Sequence, residues 1–254
     1  MKVAISGATG IVGSHVRRLA QARGHEVVSL TRSTGHDLTK GLSAQALAGV
    51  ETIIDVTGIQ TLSRRKATEY FLAVSRTLQS AGAAAGVSHL VALSIVGIDG
   101  VTSSYYGAKG EQERAVRAGV LPWTLLRAAQ FHEFAVQTVE RGSMGPLVVA
   151  PRARVRPIAA AEVAEALVDL AEAGPAGDAP DLVGPRDEIL ADMVRTLLSR
   201  RGSRRPVVEI PLPGSMGAAM SSGRLRGSPD ASQGRQTYAE WVDSFRGAAD
   251  TPAS

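Results

Sequence analysis

Apolar and polar positions along the first half of the chain alternate between two periods. Short β-branched runs fall at Val3–Ser6, Glu26–Leu30, Thr52–Val56, His89–Ser94 and Trp123–Leu126, and each reads as a strand. Between them lie longer Ala/Leu-rich stretches with helical spacing: Ile11–Arg23, Ser43–Ala48, Arg64–Ala85 and Tyr105–Ala118. The strand runs are continuously apolar, as expected of strands covered on both faces. Strand then helix, repeated at this spacing, predicts βαβ units in a doubly wound parallel sheet with helices on both sides. The fold class expected is α/β.

The second half is less regular. Leu147–Ala150 and Pro206–Ile210 read as strands, while Ala159–Ala173 and Asp187–Arg201 read as amphipathic helices. Gly174–Pro180 has the composition of a turn, and 211–236 that of a long Gly/Ser/Pro-rich loop. Met216 and Met220 within it suit an adaptable apolar lid. A short helix is expected over Thr237–Phe245, followed by fraying. No repeat and no linker interrupts the chain. The organisation expected is a core over residues 1–150 and a small C-terminal α/β lobe over 151–254, integrated with the core.

The strongest local motif is Gly7-Ala8-Thr9-Gly10-Ile11-Val12-Gly13, between the first strand and the first helix. Glycines there permit a tight turn, approach of a pyrophosphate to the backbone, and close helix–strand contact. The helix end adds unpaired N–H groups and a positive dipole. Gly7, Thr9, Gly10, Ile11, Val12 and Gly13 are therefore candidate dinucleotide-binding residues. After the second strand an acidic residue would select a free ribose 2′-hydroxyl. This chain has Leu30-Thr31-Arg32-Ser33 instead, and the Arg32 guanidinium suits a 2′-phosphate. The cofactor expected is NADP(H). Asp37 and Leu38 can bracket an adenine ring, and Val56, Thr57 and Gly58 sit at the carboxyl edge of the sheet, where ligands of such sheets bind.

These segments, with Ser94-Ile95-Val96-Gly97, Tyr105-Tyr106-Gly107-Ala108-Lys109 and Leu121-Pro122-Trp123-Thr124-Leu125-Leu126-Arg127-Ala128, resemble the short-chain dehydrogenase/reductase superfamily, and within it the atypical NmrA-like, NAD(P)-binding branch. The likeness runs from Met1 to about Phe134 and more loosely to the Thr237-Tyr238-Ala239-Glu240-Trp241 segment. It implies a Rossmann-type domain and NAD(P)H-linked chemistry, in a branch that includes reductases, isomerase-like enzymes and non-catalytic redox sensors. The family's catalytic pattern, a Ser followed by Tyr-x-x-x-Lys, falls on Ser94, Tyr105 and Lys109. Four residues apart on a helix, Tyr105 and Lys109 share a face. An ammonium there would lower the phenol pKa for proton transfer, while Ser94 would bond the substrate oxygen and Lys109 the nicotinamide ribose. Which of Tyr105 and Tyr106 faces the pocket stays open. Where related reductases usually carry Pro after the Arg, this chain has Ala128. His132 beside Glu133 reads as a pocket wall or a proton donor.

Composition narrows this reading. The 254 residues carry a net charge of +4 and no cysteine, which excludes disulfides and thiolate ligands and leaves any redox chemistry to the bound nicotinamide. The sequence pI of 9.7 arises from scattered Arg. Even the run Arg200–Arg205 follows a helix, where cations are favoured by the dipole, so no nucleic-acid partner is expected. Five His show no metal-ligand spacing, so no metal is expected. Met1-Lys2 leads directly into Val3-Ala4-Ile5, too short for a signal peptide, and no window suits a membrane span; the expectation is a cytoplasmic protein with no membrane partner. The function expected is NADPH-dependent reduction of a carbonyl or activated double bond in a small, fairly hydrophobic molecule. The alternatives are a non-catalytic NADP(H) sensor and a cofactor-bound isomerase or dehydratase. Substrate identity and oligomeric state are left open.

Overall fold

The computed structural model describes residues 1–61 and 63–244. Its elements run β1 (Lys2–Ser6), α1 (Ile11–Ala22), β2 (Glu26–Leu30), β3 (Thr52–Asp55), α2 (Arg64–Ala85), β4 (His89–Ile95), α3 (Ser104–Arg117) and β5 (Trp123–Ala128). They continue with α4 (Phe134–Gly142), β6 (Ser143–Met144), β7 (Leu147–Pro151), β8 (Arg154–Val155), α5 (Ala160–Ala173), β9 (Gly177–Asp178) and β10 (Leu182–Val183). The last are β11 (Glu188–Ile189), α6 (Leu190–Arg200), β12 (Val207–Ile210), α7 (Gly214–Ser222), β13 (Ser232–Gln233) and α8 (Tyr238–Ser244). The predicted Phe245 end of the last helix and the fraying beyond it lie outside the described residues.

The central sheet has the order β13-β10-β5-β4-β3-β1-β2, with β9 also on β5. Its pairings are parallel. From β1 the chain goes first to β2 on one side and then to β3 on the other, so the topological switch lies between β1 and β3. Ligands of open α/β sheets bind beyond the strand ends at such a switch. Alternate side chains of β1 feed two layers. Val3 and Ile5 pack with Val12, Val16 and Leu167 beneath α1 and α5, and Ala4 packs with Leu78 and Leu125 beneath α2. Both layers are closed, which explains the unbroken apolar strands, and each fully buried Val, Leu or Ile contributes roughly 1.5–3 kcal/mol.

A third cluster joins α4, α6, α7 and α8 around Val136, Leu190, Leu197, Met220 and Trp241. Two small sheets, β12-β7-β6 and β11-β8, frame it. The central sheet draws on both halves of the chain, because α5 packs beside α1 and β9, β10 and β13 extend its edge.

The structure corrects several local expectations. Ser43–Ala48 is a single tight turn, Ala44–Leu47, capped by Ser43 Oγ accepting from the Gln45 amide at 3.2 Å. The proposed loop 211–236 contains α7 and a further turn, Arg224–Arg226. Met216, Ala219 and Met220, spaced i, i+3 and i+4, give α7 its inward face, although its Gly and Ser content disguises it. The turn 174–180 includes β9, and α4 is a helix that the periodicity does not predict. Glu188–Ile189 pairs with β8 instead of opening α6.

Candidate cofactor and active site

Three glycines make the turn after β1. Gly7 has φ +80°, and a Cβ on it would lie 2.8 Å from the Val56 carbonyl oxygen. A Cβ on Gly13 would lie 2.0 Å from the Gly7 carbonyl oxygen. Gly10 precedes α1 and donates its amide to Gly7 at 3.0 Å. No side chain caps α1 and no acid lies in its first turn. The first helical bond is donated by Ser14 to Gly10 at 2.9 Å, so the N–H groups of Ile11, Val12 and Gly13 come before the helical ladder. Thr9 and Gly10 are exposed, whereas the Val12 side chain is buried in the core. A backbone cradle of this kind, with a dipole end and no competing carboxylate, fits a pyrophosphate.

Beyond β2, Thr31 caps a short turn whose first residue is Arg32. The Thr31 and Ser33 hydroxyls bond one another at 2.9 Å. Arg32 is exposed and has no ion pair among the described residues. Asp37 accepts from the Thr39 hydroxyl at 2.7 Å and the Thr39 amide at 3.1 Å. Those bonds, with Lys40, hold its carboxyl below the usual range. The Leu38 side chain is packed with Leu30 and Leu47 in the core, so the expected adenine bracket keeps only its acidic side.

A chain of buried polar groups organises the carboxyl edge of β3. Asp55 Oδ1 accepts from Ser6 Oγ at 2.8 Å, the Thr57 amide at 3.0 Å and Thr57 Oγ1 at 2.7 Å. Asp55 Oδ2 accepts from Gln112 Nε2 at 2.9 Å, and the Gln112 carbonyl accepts from Lys109 Nζ. Lys109 Nζ also donates to the Leu93 carbonyl at 2.6 Å and sits 4.9 Å from the Phe71 ring centre. Burial lowers the Lys109 ammonium to about 8, against the pull of Asp55 and Glu113. Val56 and Thr57 are thereby fixed beside Gly7.

Tyr105 and Tyr106 diverge. Tyr106 is buried, with its hydroxyl accepting from Gln130 Nε2 at 3.1 Å. The Tyr105 ring packs edge-on against Phe71 at 5.4 Å, and its hydroxyl lies 3.4 Å from the position of a Cβ on Gly58. Tyr105 is thus the tyrosine at the strand end. It follows Ser104, held at φ +58°, whose hydroxyl donates to Met216 Sδ at 2.7 Å. Ser215 Oγ meets Ser103 Oγ at 2.9 Å and accepts from the Thr102 amide at 3.2 Å. The predicted lid segment therefore clamps the turn that presents Tyr105.

The hydrogen bonds of Ser94 and Lys109 go to partners other than Tyr105. Ser94 Oγ donates to Glu113 Oε1 at 2.6 Å. Glu113 also receives Arg127, at 2.7 and 2.8 Å, and Arg117 at 3.1 Å. Lys109 is directed into the Gln112–Asp55 chain. The expectation that it lowers the Tyr105 pKa is corrected: burial raises the phenol well above its ordinary range, Tyr70, Tyr106 and Asp55 add to the rise, and Arg141 opposes it.

Sequence reasoning missed Asp55, Phe71 and Gln112. Their signal lies in tertiary contacts, not in a motif. After β5, His132 is buried against the stacked Tyr238 and Trp241 rings at 5.7 Å from each, and it donates Nε2–H to the Gln236 carbonyl at 3.1 Å. Burial pushes it down to about 4, making it a neutral wall. Glu133 differs: its Oε2 is buried with no hydrogen-bond partner among the described residues, and burial raises its carboxyl to about 7. Among the described residues no group of acids and histidines could hold a metal ion, and no helix is long and apolar enough to cross a membrane.

Switch-point topology, the glycine cradle and the ordered strand ends together define a dinucleotide-binding Rossmann protein. Residues 36–173, more than half of the chain, match the NAD(P)H-binding family, and the chain belongs to that family. A (4-alkanoyl-5-oxo-2,5-dihydrofuran-3-yl)methyl phosphate reductase of Streptomyces griseus is 30% identical over 144 residues, 51% of this chain and 48% of the relative. The match therefore spans about half the length of that curated relative. Among solved structures, the Escherichia coli NADPH-dependent quinone oxidoreductase QOR2 complexed with NADPH superposes with a TM-score of 0.68 at 19% identity, covering 95% of this chain and 99% of its own. The Citrobacter sp. triphenylmethane reductase complexed with NADP(H) gives 0.66 at 19% identity, covering 96% and 99%. The Bordetella bronchiseptica enzyme WbmH in complex with NAD+ gives 0.70 at 16% identity, covering 97% and 99%. These likenesses establish the fold.

Proposed function

We propose that the protein is an NADPH-dependent oxidoreductase that reduces a carbonyl or activated double bond of a small, fairly hydrophobic substrate. The observation that carries the reading is the Tyr105 hydroxyl set against Gly58, at the edge of the sheet that also holds the glycine cradle. The reductase activity named for the Streptomyces griseus relative supports it. Arg32, exposed and without an ion pair among the described residues where an acid would select NAD(H), supports the choice of NADPH. Gly7, Thr9, Gly10 and the first-turn amides of Ile11, Val12 and Gly13 take the pyrophosphate, and Asp37, Val56, Thr57 and Gly58 border the nucleosides.

Bound NADPH supplies the hydride. Tyr105 supplies the proton or the polarising hydrogen bond, because burial keeps the phenol protonated throughout the physiological range. Lys109 acts through Gln112 and Asp55 to hold Thr57 and Gly58 in place, and Ser94 acts through Glu113 on the Arg127 network. In this reading both are positioning residues. Phe134, Met216 and Leu212, half-buried on the cluster that Tyr105 joins, form the apolar wall for substrate.

Titration with NADPH and NADH, followed by a panel of ketones, enones and quinones, tests the proposal. Preference for NADPH and its oxidation by at least one acceptor class are expected. Equal affinity for NADH that Arg32→Ala leaves unchanged would refute the cofactor assignment. The engagement of Ser94 and Lys109 in internal bonds favours one alternative, an NADP(H)-sensing protein, which binds the cofactor but turns over no acceptor and is indifferent to Tyr105→Phe.

A further inference from the structure

Two features at the start of α3 depart from what its sequence would arrange locally. Ser103 stands at the N-cap position, where a serine hydroxyl ordinarily accepts from an amide of the first turn, yet it makes no such bond. Its Oγ instead meets Ser215 Oγ at 2.9 Å. Ser104, next along, has φ +58° and is the one non-glycine residue with positive φ among the described residues. That conformation is strained for any residue with a side chain and persists only where the surroundings enforce it. Helix α7 does the enforcing. Ser215 Oγ also accepts from the Thr102 amide at 3.2 Å, and Met216 Sδ accepts from Ser104 Oγ at 2.7 Å. Gly107 backs the same turn, since a Cβ on it would lie 2.9 Å from the Thr102 carbonyl carbon. Past α7, the Arg224 guanidinium bonds the Asp99 carbonyl. The loop that leads into Tyr105 is thus held by residues 215–224 and not by a cap of its own.

We propose that Ser215 is a positioning residue for the reaction: by holding residues 102–104 in this strained turn, it aims the Tyr105 hydroxyl at the Gly58 edge of the crevice. The inference rests on the reductase reading and deepens it, because it makes the C-terminal lobe part of the catalytic geometry. Without the clamp, Ser104 can relax to a negative φ, and the residue that follows moves with it. A displacement of about 1 Å in a reacting group can cost roughly 100-fold in rate.

Single-turnover oxidation of bound NADPH by the best ketone or quinone acceptor tests it. Ser215→Ala should slow that step about tenfold, with NADPH affinity unchanged. In the Tyr105→Phe background the same substitution should cost nothing further, because its effect runs through that hydroxyl. Adding Ser104→Gly to Ser215→Ala should restore most of the rate, since glycine keeps a positive φ without enforcement. A merely structural role gives equal losses in both backgrounds and no rescue. An unchanged rate in Ser215→Ala, additive losses or a failed rescue would overturn the proposal. A wild type that turns over no acceptor, or Tyr105→Phe at the wild-type rate, would instead refute the reductase reading. Amide hydrogen exchange by NMR then decides the clamp alone. Ser215→Ala should remove the protection of the Thr102 amide and leave β1 protected, and unchanged exchange at Thr102 would rule the clamp out.

Discussion

The two ends of the candidate cofactor crevice are built on different principles. At the phosphate end, Gly7, Gly10 and Gly13 let backbone approach backbone, and recognition falls to amides and a helix dipole. At the reactive end, buried side chains do the positioning, through the Lys109–Gln112–Asp55–Thr57 chain and the Ser94–Glu113–Arg127 network. Backbone geometry tolerates almost any neighbouring side chain, whereas a buried polar network requires each member to be satisfied. One end is therefore a short local motif and the other a product of tertiary packing.

Adding a methyl group at the phosphate end should break the comparison most severely. Gly13→Ala places a Cβ where 2.0 Å separates it from the Gly7 carbonyl, so backbone must move. A stability loss of at least about 1–3 kcal/mol and loss of NADPH binding are expected in urea titration and calorimetry. Unchanged binding would show that α1 does not pack against the turn in this way. Removing the guanidinium beyond β2 is milder. Arg32→Ala should weaken NADPH roughly 10- to 100-fold while sparing NADH, read as two dissociation constants.

An effect on stability alone belongs to Glu133, a buried acid that joins neither network. Its folded pKa of about 7 lies above the ordinary 4.5. The stability that this shift represents is complete below pH 4.5 and is lost as pH rises through 7. Glu133→Gln should therefore flatten the pH dependence between those values and gain about 1–3 kcal/mol relative to wild type at pH 8. Parallel denaturation curves with the same pH slope for both proteins would contradict the burial of that carboxyl.

The same division explains how much was legible in the sequence. Strands β1 to β5 and helices α1, α2, α3 and α5 follow from periodicity, and the glycine turn follows from spacing, since each depends on near neighbours. Helix α7 was hidden because Gly214, Ser215, Gly217 and Ser221 lower its propensity, while Ala219 and Met220 gain their burial only against the distant lobe. Tyr105 stood out through its four-residue spacing from Lys109, but spacing cannot show that Lys109 turns toward Gln112. Leu38 beside Asp37 had the composition of an adenine pocket, yet its side chain completes a core layer with Leu30.

The central claim is that Tyr105, with its phenol kept protonated by burial, serves the transfer of hydride from NADPH. Its most direct test is single-turnover oxidation of bound NADPH, followed by nicotinamide absorbance, with the best ketone or quinone acceptor. Tyr105→Phe is predicted to slow that step by about 100-fold while NADPH affinity holds. A rate unchanged by the substitution would contradict the account.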